Sequence, residues 1–138
     1  MSIQYLTDQD QGATFVLWDG VVTADEYLAH VRELLSDPDW PARRFLHLCD
    51  LQTTSLDASI NEAVLKEAAD LYGTHPMISR LKIAIIAGEA FVQAVAFESM
   101  LAQYHATTIV FNSPATAYTW LGVDPGKVTQ ALQSLRKK

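Results

Sequence analysis

The sequence predicts an α/β fold: a mixed β-sheet in which an N-terminal antiparallel hairpin is followed by parallel βα units. Two β-prone runs, Ile3 to Leu6 and Thr14 to Trp18, flank the turn-forming Asp8-Gln9-Asp10-Gln11-Gly12, which is the pattern of a hairpin. From Gly20 onward helical and strand patterns alternate, the order that builds parallel pairs through right-handed crossovers. No Gly/Ser linker, charge block or repeat interrupts the 138 residues, so one domain is expected over 1–138. A chain of that size buries roughly 68 to 70% of the surface that it exposes when unfolded, enough for a core without metal or disulfide.

Each element has a local cause. Thr23 followed by Glu26 reads as a capping box that starts the first helix, with Tyr27, Leu28, Val31, Leu34 and Leu35 on its buried stripe and Pro38 ending it. Phe45 to Cys49 reads as a buried strand. The second helix is expected from about Asp57 to Tyr72, on the stripe Ile60, Val64, Ala68 and Leu71, with Gly73 as its left-handed terminator. Leu81 to Ala87 is apolar at nearly every position, as in a strand covered on both faces. A third helix runs from about Glu89 to Tyr104, and Thr108 to Phe111 is the last strand. Ser113-Pro114 then opens a short helix stopped by Gly122, and Asp124-Pro125 opens a final amphipathic one.

Composition narrows the function classes. Sixteen acidic against ten basic residues give a net charge of -6, which repels a phosphate backbone, so no nucleic-acid partner is expected. The apolar stretch Ile83 to Phe97 is broken by Gly88, Glu89 and Gln93, short of the roughly 18 unbroken apolar residues of a membrane span. With no secretory pattern in Met1 to Gln11 and only one cysteine, Cys49, a reducing cytoplasm is the expected setting.

The third helix carries more apolar surface than one buried face requires. Ala90, Ala94, Phe97 and Leu101 share one side, Phe91, Val95 and Ala102 an adjacent one, with Val92 beyond. A neighbouring helix covering the second side, a homodimer contact, and the wall of an apolar ligand pocket are the three readings. In the last, Phe91, Val92 and Val95 would stand beside Tyr118 or Trp120.

Open parallel sheets gather ligands at the carboxyl ends of their strands, and there the sequence places Asp19, Asp50, Asp57 and Glu89. Their spacing matches helix and loop caps better than a cation site. No glycine-rich phosphate loop is present, and neither metal nor cofactor is expected. His47 and Cys49 alternate onto one face of a strand, about 7 Å apart at Cα, side by side rather than aimed at a shared substrate, so Cys49 reads as a packed thiol. His30, His75 and His105 lie at helix flanks or ends without ligand spacing. No enzymatic activity is expected.

Two stretches together carry a resemblance. GVVTADEYLAHVRELLSDPDWPARRFLHLCDLQTTS and TTIVFNSPATAYTWLGVD resemble the first half and the end of the small SpoIIAA-like, STAS-related bacterial proteins, in the order Gly20 to Thr23, Asp37-Pro38, Leu48 to Leu51, Phe111 and Trp120-Leu121. The resemblance implies the mixed-sheet SpoIIAA fold, related in architecture to lipid-carrying SEC14-like domains, and a regulatory or protein-binding role. STAS antagonists of anti-sigma factors are phosphorylated on a serine directly after an aspartate at the start of the second helix. Here Asp57 matches, but Ala58 has no hydroxyl, and Ser59 lies one residue late. A phosphorylation switch of that kind is therefore not expected.

Overall fold

The structure, a computed structural model, describes residues 2–138. Its strands are β1 (Ile3–Asp8), β2 (Ala13–Val22), β3 (Leu46–Leu56), β4 (Lys82–Ile86) and β5 (Thr107–Phe111), and they lie side by side in sequence order. β1 pairs antiparallel with β2, with Ile3 opposite Trp18 and Asp8 opposite Ala13, and the remaining neighbours are parallel. The mixed sheet with its leading hairpin is the expected one. The helices are α1 (Ala24–Ser36), α2 (Glu62–Gly73), α3 (Phe91–Leu101), α4 (Pro114–Leu121) and α5 (Pro125–Arg136).

A sheet that grows strand by strand in one direction, through crossovers of one hand, receives all its crossover helices on one face. Accordingly α1, α2 and α3 pack together over Val16, Trp18, Leu51, Ile83 and Ile85. The opposite face, with Phe15, Leu17, Leu46, Leu48, Ala84 and Ile86, is covered by α4 and α5 through Ala117, Leu121, Val128, Leu132 and Leu135. Burial on both sides explains why β4 reads as an uninterrupted apolar run.

Helix boundaries follow the side chains that cap them. Thr23 Oγ1 accepts from the Glu26 N–H at 3.3 Å, half of the expected capping box. The other half is diverted, because the Glu26 carboxylate accepts from the Ser2 N–H instead. Asp124 accepts from Gly126 and Lys127, and Gly122 takes the left-handed conformation that ends α4.

Strand and helix bounds differ from the expected ones. The strand expected at Phe45 to Cys49 begins at Leu46, since Phe45 sits at φ 60 outside the extended region, and it runs on to Leu56. Asp19 to Val22 of β2 and Thr53 to Leu56 of β3 pair as a parallel ribbon beyond a register shift, so both strands extend past the expected runs. α2 starts at the cap Asn61, whose Oδ1 accepts from Val64, not at Asp57. Its buried face is Leu65, Ala68, Ala69 and Tyr72, turned by one position from the expected stripe. Gly73 is the last residue of α2 and not a left-handed terminator. It is required by a close approach: a Cβ there would run into the ring of Tyr104, whose hydroxyl donates to Asp70 at 2.6 Å.

Gly73→Ala is expected to destabilise the fold by about 1–3 kcal/mol through overpacking. With Tyr104→Ala already in place, the same change is expected to be neutral or to stabilise by about 0.5–1 kcal/mol, the ordinary helical preference for alanine. Urea unfolding of the four proteins reads the sign change, and equal destabilisation in both backgrounds would contradict the close-approach account.

Candidate functional site

Between the sheet and the three crossover helices lies a cavity of about 50 Å³. At a liquid share of roughly 30 Å³ per water, it has room for one or two water molecules or a guest of like bulk. Its floor is Trp18 of β2, His47, Cys49 and Leu51 of β3, and Ile83 and Ile85 of β4. Tyr27 and His30 of α1, Leu65 and Tyr72 of α2, and Gln93, Ala94 and Phe97 of α3 form its walls, with Leu56 and Ile60 closing one side. Aromatic contacts fix the walls: Trp18 on Tyr27 at 4.9 Å, Tyr72 on Phe97 at 5.9 Å, and Trp40 against both His47 and Tyr72.

The polar groups of the cavity are neutral, and burial makes them so. His30 is lowered to about 4 and His47 to about 3, in each case chiefly because desolvation penalises the imidazolium. Trp40 Nε1 donates to His47 Nδ1 at 3.2 Å, so in the neutral ring the proton sits on Nε2. Burial pushes the Cys49 thiol up to about 12, far from a thiolate nucleophile. Cys49 is nevertheless among the residues that line the cavity. Tyr27 and Tyr72 are likewise held as phenols by burial. Two polar atoms of lining residues, Trp18 Nε1 and Gln93 Oε1, are buried without a hydrogen-bond partner among the described residues.

The residues singled out from sequence lie elsewhere. α3 turns Ala94, Phe97 and Leu101 inward, while Phe91 and Val92 are 42% and 75% exposed and Val95 is half-buried. Tyr118 and Trp120 belong to the opposite face, packed with α4 against the second core, so the sheet separates them from α3's inner side. Trp120 is engaged there by Phe111 at 5.6 Å and by Lys82, whose ammonium lies 4.4 Å from its ring centroid.

The acidic rim does not assemble either. Asp19 is exposed within β2, and Asp50 is buried inside β3, where its carboxylate accepts from the Gln52 N–H and Nε2. Asp57 follows β3, accepts from the Ser59 N–H at 2.8 Å and is lowered by that bond. Glu89 accepts from Ser55 at 3.1 Å. Among the described residues no group of three or more His, Cys, Asp or Glu is placed to hold a metal ion. Ser59, the near match to the phosphorylated serine, uses its Oγ to accept from the Ala24 N–H at the start of α1.

His30, expected at a helix flank, sits in the middle of α1 on the buried face with Tyr27, Val31 and Leu34. The signal that could have found the cavity is the recurrence of polar residues on buried stripes: His30 in α1, His47 and Cys49 in β3, Gln93 in α3.

The fold is SpoIIAA-like. A crystal structure of an uncharacterized protein from the DUF3478 family with a SpoIIAA-like fold, from Shewanella loihica PV-4, superposes with a TM-score of 0.54 at 20% identity, covering 86% of this chain and 91% of that one. No family model matches the chain, and no curated protein does. No helix among the described residues is long and apolar enough to cross a membrane.

The buried histidines set an acid dependence. Their folded values lie below the ordinary 6.5, so between those values the unfolded chain binds more protons and stability falls as pH drops below about 6.5. By pH 5 each histidine is expected to have cost about 2 kcal/mol, from roughly 1.4 kcal/mol per pH unit. His30→Phe, which keeps a ring against Tyr5, should therefore lose about 2 kcal/mol less than the parent between pH 7.5 and pH 5 in urea unfolding. Parallel profiles would contradict the assignment.

Proposed function

We propose that the chain is a non-catalytic regulatory domain whose binding site is the cavity beneath α3, occupied by a small, mainly apolar molecule. The observation that carries this reading is the cavity itself: large apolar walls held by aromatic contacts, with a few polar side chains among its lining residues. The absence of enzymatic activity belongs to the same reading, since the thiol and the imidazoles on the lining are a protonated acid and weakened bases. The likeness to STAS-related proteins supports a regulatory role in the cytoplasm, and the net charge of -6 speaks against nucleic acid as its partner.

Native mass spectrometry of the protein isolated from its own cells tests the reading. The expected result is a stoichiometric small-molecule mass that is lost on denaturation and missing from Ala94→Met, whose longer side chain fills the cavity. Wild type and variant both running at the bare chain mass would contradict it.

A protein contact is favoured by a separate observation. α3 is apolar on its outer side as well, with Phe91 and Val92 exposed and Val95 half-buried. We assign that side to a second copy of the chain, which places the ligand wall and the partner surface on opposite sides of one helix. Light scattering at high micromolar concentration is expected to show a dimer for wild type and a monomer for Phe91→Glu, since a charge in an apolar contact costs several kcal/mol. If both run as monomers, the dimer assignment fails.

A further inference from the structure

β1 is an edge strand, with β2 on one side and no strand on the other. One hydrogen bond fixes the direction of its backbone groups. The Asp19 N–H donates to the Ser2 carbonyl at 2.8 Å while Ile3 lies opposite Trp18, so the alternation of an antiparallel ladder turns the N–H and C=O of Ile3, Tyr5 and Thr7 away from β2. The 3.0 Å contact between the Thr7 and Thr14 hydroxyls fits the closer side chains of such a pair. Water serves these groups on any open edge, yet natural edges are blunted by lysine, proline, a bulge or a covering element. β1 has neither lysine nor proline, and its register with β2 is unbroken. An open groove of about 560 Å³ runs along Ile3 to Thr7.

Charge decides what fits there. Glu33 of α1, with Asp37 and Asp39 just beyond it, borders the groove, and Lys138 is the one cation among the described residues that line it. The ion pairs among the described residues involve none of these carboxylates. Asp37 accepts from the Tyr5 hydroxyl at 2.8 Å, which holds a negative charge beside the middle of β1. A second copy paired antiparallel across a two-fold axis would bring both sets of carboxylates onto one face of the joined sheet, a like-charge contact. The complementary occupant is a strand with Lys or Arg at every second position, about 7 Å apart, opposite Ile3, Tyr5 and Thr7 on the face toward α1. None of the groove residues lines the cavity beneath α3. We propose that the β1 edge is the docking site of an extended basic segment of a partner protein, which adds to the sheet as an antiparallel strand.

Blocked heptapeptides added to the ¹⁵N-labelled full chain at pH 7.5 and low salt test this. TKVKVKT is expected to slow hydrogen exchange of the Ile3, Tyr5 and Thr7 amides saturably, and to bind at least about tenfold more tightly than TEVEVET. In the proposed register the lysine N–H groups face β1 and the valine N–H groups face away. N-methylation of the three lysines is therefore expected to abolish binding, and that of the two valines to weaken it by no more than about threefold. Glu33→Gln combined with Asp39→Asn, which leaves the Tyr5–Asp37 bond in place, is expected to weaken TKVKVKT by about three- to tenfold. TEVEVET binding as tightly, or an unchanged affinity in the double variant, would overturn the basic partner. Binding that survives lysine methylation would overturn strand addition. Slowing of the three amides on raising the protein concentration without peptide would give the edge to a second copy instead, and no slowing with any peptide would overturn the docking site itself.

Discussion

Strand order is the constraint on which the rest of the molecule depends. Because β2 to β5 are added in sequence along one direction, right-handed crossovers deliver α1, α2 and α3 to the same face. Three helices must then share the area above β2, β3 and β4. In the sheet Cys49 of β3 lies between Val16 of β2 and Ile85 of β4, and His47 between Thr14 and Ile83, with Trp18 at the register shift of β2. The cavity lies above this part of the sheet. The opposite face receives no crossover helix and depends on α4 and α5 for its cover.

The same arrangement explains why α3 is apolar on more than one side. It must pack on α2 and β5 with one side, close the cavity with Ala94 and Phe97, and still carry Phe91 and Val92 outward. One rigid element thus touches both the proposed ligand and the proposed partner. A guest that orders α3 would change the surface offered to the second copy, which is a physical route from occupancy to assembly.

Much of the fold was legible because its signals are local. The caps at Thr23, Ser113-Pro114 and Asp124, the left-handed Gly122 and the unbroken apolar run of β4 each follow from a few neighbouring residues. What escaped notice depends on distant partners. Gln52 to Ser55 looks like a polar loop, but it is strand because Asp19 to Val22 lies beside it, and threonine tolerates that setting. Gly73 looks like a helix terminator until Tyr104, from beyond α3, is seen to occupy its empty side. The cavity is the extreme case, since β2, β3, β4, α1, α2 and α3 all contribute to it and no periodicity in one element announces it. The side shared by Ala94, Phe97 and Leu101 is legible as the buried face of α3 and is so in the structure, whereas the separation of Tyr118 and Trp120 from it by the sheet depends on where α4 packs.

The central claim is that the space beneath α3 accepts an apolar guest. Crystals of the protein pressurised with xenon test it most directly, because xenon enters apolar cavities without needing a hydrogen bond. The expected result is one ordered xenon atom bounded by Leu65, Ile83 and Phe97, with the surrounding side chains unmoved. A site without xenon, filled by ordered water bridging Trp18 Nε1 and Gln93 Oε1 or closed by movement of Phe97, would contradict the account.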